Sequence, residues 1–232
     1  RDPALKPKNY FDAKDKPIPP FTRSQFGGVV GGPLRHDATF FFGAYEGLIE
    51  RRGVTGLTAV PDDNARRGIL PSGPVPLHPA IPRYLDVLFP HANGRSLGGG
   101  VSEYQFTRTQ PIDEHFVQGR LDHRFASGDT TFGRYTTSNG KVDRQPTAKP
   151  PIAFTRESSR NQYLTVDHRH LFTPHLLGTT RGGFNRSVSL ADNVRTIDIP
   201  PDMTWIPGEP FGYLTVQGMV TEMAGDYRLP RN

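Results

Sequence analysis

The sequence predicts an all-β protein in which antiparallel, up-and-down strands form part of a large transmembrane β-barrel, with long extracellular loops and one short loop helix. Residues 21–52 contain two strand-like runs, each of about the 9–11 residues that a tilted strand needs to cross a bilayer, joined by a polar turn. Residues 115–125 alternate between apolar and polar side chains. Strand pairs joined by short turns and separated by long loops recur along the chain, which is typical of outer-membrane barrels.

The first strand pair is predicted at residues 22–51, with its turn at 33–38. Four glycines, at positions 27, 28, 31 and 32, would each weaken a helix by roughly 1 kcal/mol, whereas glycine in a strand marks a bend or a close backbone approach. A phosphate-binding glycine loop must open a helix, but a proline and a polar turn follow here. We therefore expect a hairpin in which residues 25–31 pair with residues 41–47.

Residues 52–112 are predicted to be one long loop, because prolines recur there at positions 61, 71, 74, 76, 79, 82 and 90. Long loops in compact domains are usually lids or binding loops, so we expect ligand or partner contacts here, with no ligand-binding residue assigned. Residues 83–89 are predicted to form a short helix, since Tyr84, Val87 and Leu88 recur at i, i+3 and i+4. These three side chains are expected to anchor the loop.

The clearest alternation lies in residues 115–125. One face carries Val117, Gly119, Leu121 and Phe125, which we expect to face lipid, and the other carries Gln118, Arg120, Asp122 and Arg124. The polar set, with Arg134 of the next strand, is interpreted as lumen lining whose charges pair between strands, although a soluble sheet would alternate in the same way. Seven aromatic residues lie where lipid-facing or interfacial bands are expected, although a sandwich core would also use them: Phe26, Phe40, Phe41, Phe42, Tyr45, Phe132 and Tyr135. Three consecutive aromatics break strict alternation, so the faces of Phe40, Phe41 and Phe42 are not assigned.

Further strands follow in the same rhythm. The predicted segments are a turn at 126–129, a strand at 130–138, a loop at 139–158, strands at 160–172 and 177–188 around a turn at 173–175, a third long loop from 189, and a seventh strand at 212–220. Seven strands do not close a barrel of the even-numbered kind. The barrel is therefore expected to be incomplete within these residues.

Composition and motifs exclude several functional classes. The chain has no cysteine, which excludes disulfides and cysteine metal sites. The net charge is +5, but the basic residues are scattered, so no nucleic-acid binding is expected. Nucleophile-elbow, zinc-protease and phosphate-loop motifs do not occur, and the adjacent Asp113 and Glu114 would point to opposite faces of a strand. We expect no enzyme activity, no catalytic residue and no cofactor.

His168 and His170 are the strongest candidates for metal ligands, since they share one face of a predicted strand. The sequence assigns no third ligand, so no metal site is expected. Residues 62–64, Asp-Asp-Asn, lack the ligand spacing of a calcium loop and are interpreted as a solvated loop tip.

The stretch RSQFGGVVGGPLRHDATFFFGAYEGL closely resembles the barrel-entry hairpin of TonB-dependent outer-membrane receptors of the Oar-like type. The usual form there is N-Q-F-G-G-x-x-G-G-P-[IL] followed by K-T-F-F-F-x-x-Y-E-G. This chain departs from it at Ser24, where Asn is usual, and at residues 36–38, where Lys-Asp-Lys is commoner. NYFD upstream and IPRYLDVLFP, QGRLDHRF, TTFGRYT and IPGEPFGYLTVQG downstream fall in the order that family shows.

The resemblance implies a barrel of roughly 22 strands with a plugged lumen, in the outer membrane of a Gram-negative cell, that takes up a substrate with energy from the TonB complex. Residues 1–21 are then a connector from a plug domain, and residues 22–232 are the N-terminal part of the barrel. The implied partners are outer-membrane lipid, the TonB complex through a plug outside these residues, and an unknown extracellular ligand. The alternative is a secreted or surface-displayed β-sandwich adhesion module, which would be water-soluble without detergent.

Overall fold

The computed structural model describes residues 18–209, 211–212, 214–216, 219–223 and 228–231, most of which belong to one large antiparallel sheet. In chain order the strands are β1 (Phe21–Arg35), β2 (Thr39–Pro61), β3 (Ile69–Leu70), β4 (Gly73–Pro74), β5 (Ser96–Gly98), β6 (Val101–Arg124), β7 (Thr130–Arg144), β8 (Ala153–Thr173), β9 (Leu176–Arg195), β10 (Leu214–Val216), β11 (Val220–Met223) and β12 (Arg228–Arg231). The large sheet has the spatial order β1-β2-β6-β7-β8-β9-β12, so successive long strands are neighbours. This order confirms the predicted all-β, up-and-down fold.

The first hairpin forms where it was predicted, with a shorter turn. β1 continues to Arg35, and the chain reverses over residues 36–38, where Asp37 adopts a left-handed backbone with φ of 60°. Aspartate tolerates this conformation better than most side chains. The register differs from the prediction by one residue, since Gln25 pairs with Leu48 and Gly31 with Phe42.

The strands are longer than predicted, so residues 52–112 are not one loop. β2 and β6 pair without interruption from Thr39 and His123 to Pro61 and Val101, which leaves residues 62–100 as the connection. The prolines that suggested a loop lie mostly between 61 and 90, and the flanking segments are rich in β-branched and aromatic residues that favour strands. The predicted loop at 139–158 shrinks for the same reason to residues 145–152.

The location of the predicted seventh strand is wrong. Within residues 212–220, Leu214–Val216 form β10, which pairs with β11 (from Val220) in a separate two-stranded ladder. Residues 213, 217 and 218 lie outside the described residues, as does nearly all of the predicted connector at 1–21. The strand that extends the large sheet past β9 is β12, which pairs with Ser189–Asp192.

The register assigns each side chain to one of two faces, because strand neighbours that pair directly share a face. The polar face contains Phe40, Phe42, Glu46, Gln118, Arg120, Asp122, Arg124, Phe132, Arg134, Asp167, Arg169 and Arg181. The apolar face contains Phe26, Val30, Phe41, Tyr45, Val117, Gly119, Leu121, Tyr135, Leu164, Val166 and Phe184. Arg120 and Leu121 are on opposite sides, as predicted.

Three of the seven aromatic residues predicted for lipid-facing bands lie on the polar face. Phe40, Phe42 and Phe132 pair with Asp122, Arg120 and Asp122 respectively. The guanidinium carbon of Arg120 lies 3.9 Å from the centre of the Phe132 ring, an attractive cation–π contact. The lipid-facing interpretation is therefore wrong for Phe132, because it used strand position without the register. The register also places Phe40 and Phe42, whose faces the sequence left unassigned, on the polar side.

The short turns all lie at one end of the sheet and the long connections at the other. The short turns occupy residues 36–38, 125–129 and 174–175. Gly128 takes a φ of 91° in the second of them, a conformation that favours glycine. The helix α1 (Ile81–Leu88) lies in the first long connection, close to its predicted place at 83–89. Among the described residues, no helix has the length and apolar character needed to cross a membrane.

Candidate functional site

The three long connections pack together into what we call the loop cluster: residues 62–100, 145–152 and 196–216 in their described parts. Its hydrophobic core is formed by Val60, Leu88, Phe89, Ile152 and Phe211, each at most 7% exposed. Tyr84 and Val87 pack against this core, so all three predicted anchors of the loop have the predicted packing role. The main hydrophobic core of the described chain therefore lies in its loops.

The loop cluster lies over the polar-face side of the sheet. Val60 and Tyr104 share the alternation of Arg120 and Asp122 along β2 and β6, and both contact the cluster. Residues 145–152 leave β7 and reach β2, where the Leu57 amide donates to the Thr147 carbonyl at 2.8 Å. On the way, the Arg108 side chain donates to the Pro151 carbonyl at 2.9 Å. The connection thus crosses β6 on the face where a barrel would have its lumen.

Arg66 joins the start of the first long connection to the end of α1. It is 9% exposed and follows Asp62, whose carboxylate accepts the Ala65 amide at 2.8 Å. Its guanidinium donates to the carbonyls of Leu85, Phe89 and Pro90 at 3.2, 2.5 and 2.9 Å. The Leu85 carbonyl also accepts the Phe89 amide at 3.0 Å, whereas Phe89 and Pro90 follow the helix. Arg66 therefore holds the segment just after α1 on the cluster.

The last long connection docks on α1 through one aromatic stack and one ion pair. The rings of Tyr84 and Trp205 lie parallel, 5.6 Å apart, and the Tyr84 hydroxyl donates to the Met203 carbonyl at 2.9 Å. Arg83 pairs with Asp202 through both guanidinium terminal nitrogens. The hydrogen bond from Arg83 holds the pKa of the Asp202 carboxyl below its ordinary value. Two segments more than 100 residues apart are therefore joined by specific contacts.

Trp205 and Ile206 form an apolar tip on the loop cluster. They are 51% and 63% exposed, although Trp205 is held between the rings of Tyr84 and Phe211. A tryptophan that is rigid and still exposed presents a large contact surface with little loss of conformational entropy on binding. This tip is the best-formed candidate for ligand contact in the cluster, and the prolines of residues 52–112 did not point to it.

Below the loop cluster, the polar face of the sheet carries several charged side chains that form ion pairs. Asp167 is 1% exposed and accepts from Arg181 at 2.9 Å, with Arg169 at 3.4 Å. Arg120 binds Asp122 at 2.6 Å, but both belong to β6, so this pair does not join neighbouring strands as predicted. A depression of about 280 Å³ opens between these groups.

A family described as outer membrane beta barrel domain has a model that matches residues 1–222. The chain belongs to this family. It is accordingly an outer-membrane protein, as the sequence predicts. Neither the curated proteins nor the solved structures contain a match to the chain.

The apolar face of this barrel domain is exposed, as predicted. Val117, Leu121 and Phe125 are 41%, 49% and 43% exposed. The apolar character ends at Arg51 and Asp113, which form an ion pair at 2.8 Å on the same face. From His123 to Asp113 the strand is ten residues long, which at about 3.3 Å per residue and a tilt near 40° gives a band about 25 Å tall. This height equals the usual apolar band of an outer-membrane barrel.

The remaining acidic candidates have structural roles. Asp113 and Glu114 point to opposite faces of β6, as predicted from their adjacency. In residues 62–64, Asp62 caps the turn at Ala65, and Asp63 contacts His91 at 3.0 Å. Asp63 and Asn64 are exposed, as expected of a solvated tip, and the turn that they form is capped by Asp62.

Proposed function

We propose that this barrel domain is part of a TonB-dependent receptor of the Oar-like type, which takes up a substrate across the outer membrane. The proposal is carried by the first hairpin, because the two halves of its motif meet in the structure. The Phe26 ring of the QFGG half lies over Gly47 of the YEG half, and a Cβ at position 47 would be 2.8 Å from that ring. Aromatic cover of a strand glycine fixes register, so these motif residues depend on each other.

Orientation follows from the lengths of the connections. Outer-membrane barrels have short turns on the periplasmic side and long loops outside the cell. The loop cluster would then be extracellular, at the mouth of the lumen, and the charged polar face would line the lumen. The buried Asp167 with its two arginines, and the open depression near Arg120, would offer a plug domain fixed charges to bind.

Strand direction adds a constraint on residues before β1. β1 runs from Phe21, which pairs with Arg52, down to the short turn at 36–38. Pro20 continues upward along β2, accepting the Gly53 amide at 2.6 Å. A connector that rises from a periplasmic plug would arrive at the other end of β1. In our proposal the link from a plug therefore has to join β1 at the end that carries the loop cluster.

The loop cluster is the proposed ligand-binding region. Its segments come from three separate connections that share one core, so binding at the Trp205 tip would affect all of them. These residues do not specify the chemical class of the substrate. The partner that supplies energy would be reached through a plug domain.

The proposal is tested by binding to the energising partner. The full-length protein, purified in detergent, is titrated with the periplasmic domain of TonB from the same cell, and a porin of similar size serves as the control. We expect saturable binding by the receptor and none by the porin. Absence of binding to the full-length protein, together with an unaltered envelope in cells that lack TonB function, would refute the receptor assignment.

The alternative of a water-soluble β-sandwich module has less support. A sandwich buries one face of each sheet against a second sheet, whereas here the apolar face is exposed along the large sheet of the described residues. Membership in the outer-membrane barrel family also argues against it.

A further inference from the structure

Two histidines and one carboxylate converge at the short-turn end of the sheet, on the side of the apolar face. His168 and His170 project from the same face of β8, and Asp129 ends the turn between β6 and β7. One ligand atom from each of these residues lies within 4.8 Å of the others. Asp129 is 41 residues before His170, which is why the strand pattern alone offered two ligands and no third.

The Asp129 carboxylate is held in place by its neighbours. One oxygen accepts from the Leu171 amide at 3.3 Å and lies 2.9 Å from the His170 Nδ1. The other oxygen accepts from the Ser127 hydroxyl at 3.0 Å. The side chain of Asp129 is only 14% exposed. A carboxylate fixed in this way is a pre-organised ligand, since little conformational entropy remains to be lost on binding an ion.

Aromatic rings flank both imidazoles. Phe172 lies edge-on to His170 with ring centres 4.4 Å apart, and Phe125 lies edge-on to His168 at 6.3 Å. The two imidazole planes are nearly parallel, 17° apart. These contacts restrict the orientation of both rings.

We propose that His168, His170 and Asp129 bind a divalent transition-metal ion of the zinc class, which ties the β6–β7 turn to β8. Two imidazoles and one carboxylate suit Zn²⁺, Co²⁺ or Ni²⁺ and are a poor set for Ca²⁺ or Mg²⁺, which prefer oxygen ligands. Metal–ligand distances of about 2.0–2.2 Å in a tetrahedral site place ligand atoms roughly 3.4 Å apart, so small side-chain rotations open the 2.9 Å Asp129–His170 contact and close the longer separations. This proposal does not depend on the receptor assignment.

The competing explanation is that the Asp129–His170 contact is a hydrogen bond between turn and strand, with no ion. The two explanations differ in what His168 does, because His168 lies outside that hydrogen bond. Loss of His168 would abolish three-ligand metal binding and would leave the hydrogen bond intact.

The test uses the full-length protein in detergent, without an affinity tag and stripped with a chelator. Zn²⁺ is titrated by calorimetry, and Co²⁺ by its visible absorption. We expect one saturable site, no response to Ca²⁺ or Mg²⁺, and a higher unfolding temperature with Zn²⁺. H168A, H170A and Asp129→Asn should each raise the Kd by about tenfold or more, and His175→Ala, at the next short turn, should not.

Folding of each variant is checked by comparing the electrophoretic mobility of boiled and unboiled samples, since a folded barrel shifts on boiling. Asp129→Asn keeps an oxygen for the Leu171 amide, so it preserves the turn and loses the charged ligand. No saturable binding to the folded wild-type protein would overturn the proposal. The proposal would also be overturned if folded His168→Ala or Asp129→Asn bound the metal as tightly as the wild-type protein, since each of these variants lacks one proposed ligand.

Discussion

Replacing Leu121 by arginine tests whether the apolar face contacts lipid. Leu121 lies two residues above His123, where the apolar band begins. At about 3.3 Å per residue and a tilt near 40°, it lies about 5 Å above the short-turn end of the band. The centre of a 25 Å band is about 12 Å above that end. Leu121 is thus about 7 Å from the bilayer centre.

At this depth, Leu121→Arg should destabilise the folded barrel in lipid by about 1–3 kcal/mol, since arginine costs about 2–4 kcal/mol at the centre and about 0–1 near the interfaces. Val117→Arg, about 3 Å from the centre on the other side, should cost about 2–4 kcal/mol. Phe125→Arg lies at the interface and should cost less than about 1 kcal/mol. Gln118→Arg on the polar face is the matched control and should cost little.

The measurement is the free energy of unfolding of the full-length protein in phospholipid vesicles, from urea titrations of all four variants. The depth series matters as much as the single value. If Leu121→Arg and Gln118→Arg are equally mild, the apolar face does not contact lipid. If Phe125→Arg is the most costly, the band is displaced toward the short turns and the assigned membrane position is wrong.

Three further predictions concern the loop cluster. Replacing residues 62–95 by a short glycine-serine linker should leave barrel assembly intact and reduce substrate uptake by cells, and failed assembly with normal uptake would contradict this. Arg66→Ala should expose the cluster to protease in intact cells, at a cost of about 1–3 kcal/mol for each carbonyl left buried and unpaired, whereas the exposed Arg67→Ala should not. Since Arg83 lowers the pKa of Asp202, their pair should stabilise the cluster above the ordinary aspartate pKa and lose its effect as the pH falls through the lowered value; hydrogen exchange across pH 3–6 should show this loss in wild type and not in Arg83→Gln.

Local signals in the sequence predicted the hairpins and the loop helix. Each short turn carries residues whose chemistry ends a strand, such as Gly128 with its positive φ, and α1 has a helical repeat of apolar residues. Such patterns are encoded within about ten residues, which is why they can be recognised from the sequence without tertiary information. The faces of Phe40, Phe41 and Phe42 were not predictable in this way, because only the register against β6 decides them.

The candidate site escaped prediction because its contacts are long-range. Tyr84 and Met203 are 119 residues apart in the chain, as are Arg83 and Asp202. Neither segment has a sequence pattern that identifies the segment it contacts. The single tryptophan of the chain was the one available hint, since an isolated tryptophan in a proline-rich loop needs a packing partner. Asp129 was missed for the same reason, as a turn residue whose partners lie on the next hairpin.

The long strands separate the lipid-facing part of the sheet from the loop cluster. β6 has 24 residues, whereas a bilayer crossing needs about 9–11. Above Asp113 both faces carry charge, as at Arg156 and Asp143, which pair at 2.8 Å on the side that is apolar lower down. The barrel wall therefore continues well beyond the lipid, and the loop cluster sits on that extension with its own core. Because this core shares no residue with the lipid-facing band, changes at Trp205 or α1 should alter access to the lumen while the membrane-embedded sheet keeps its stability.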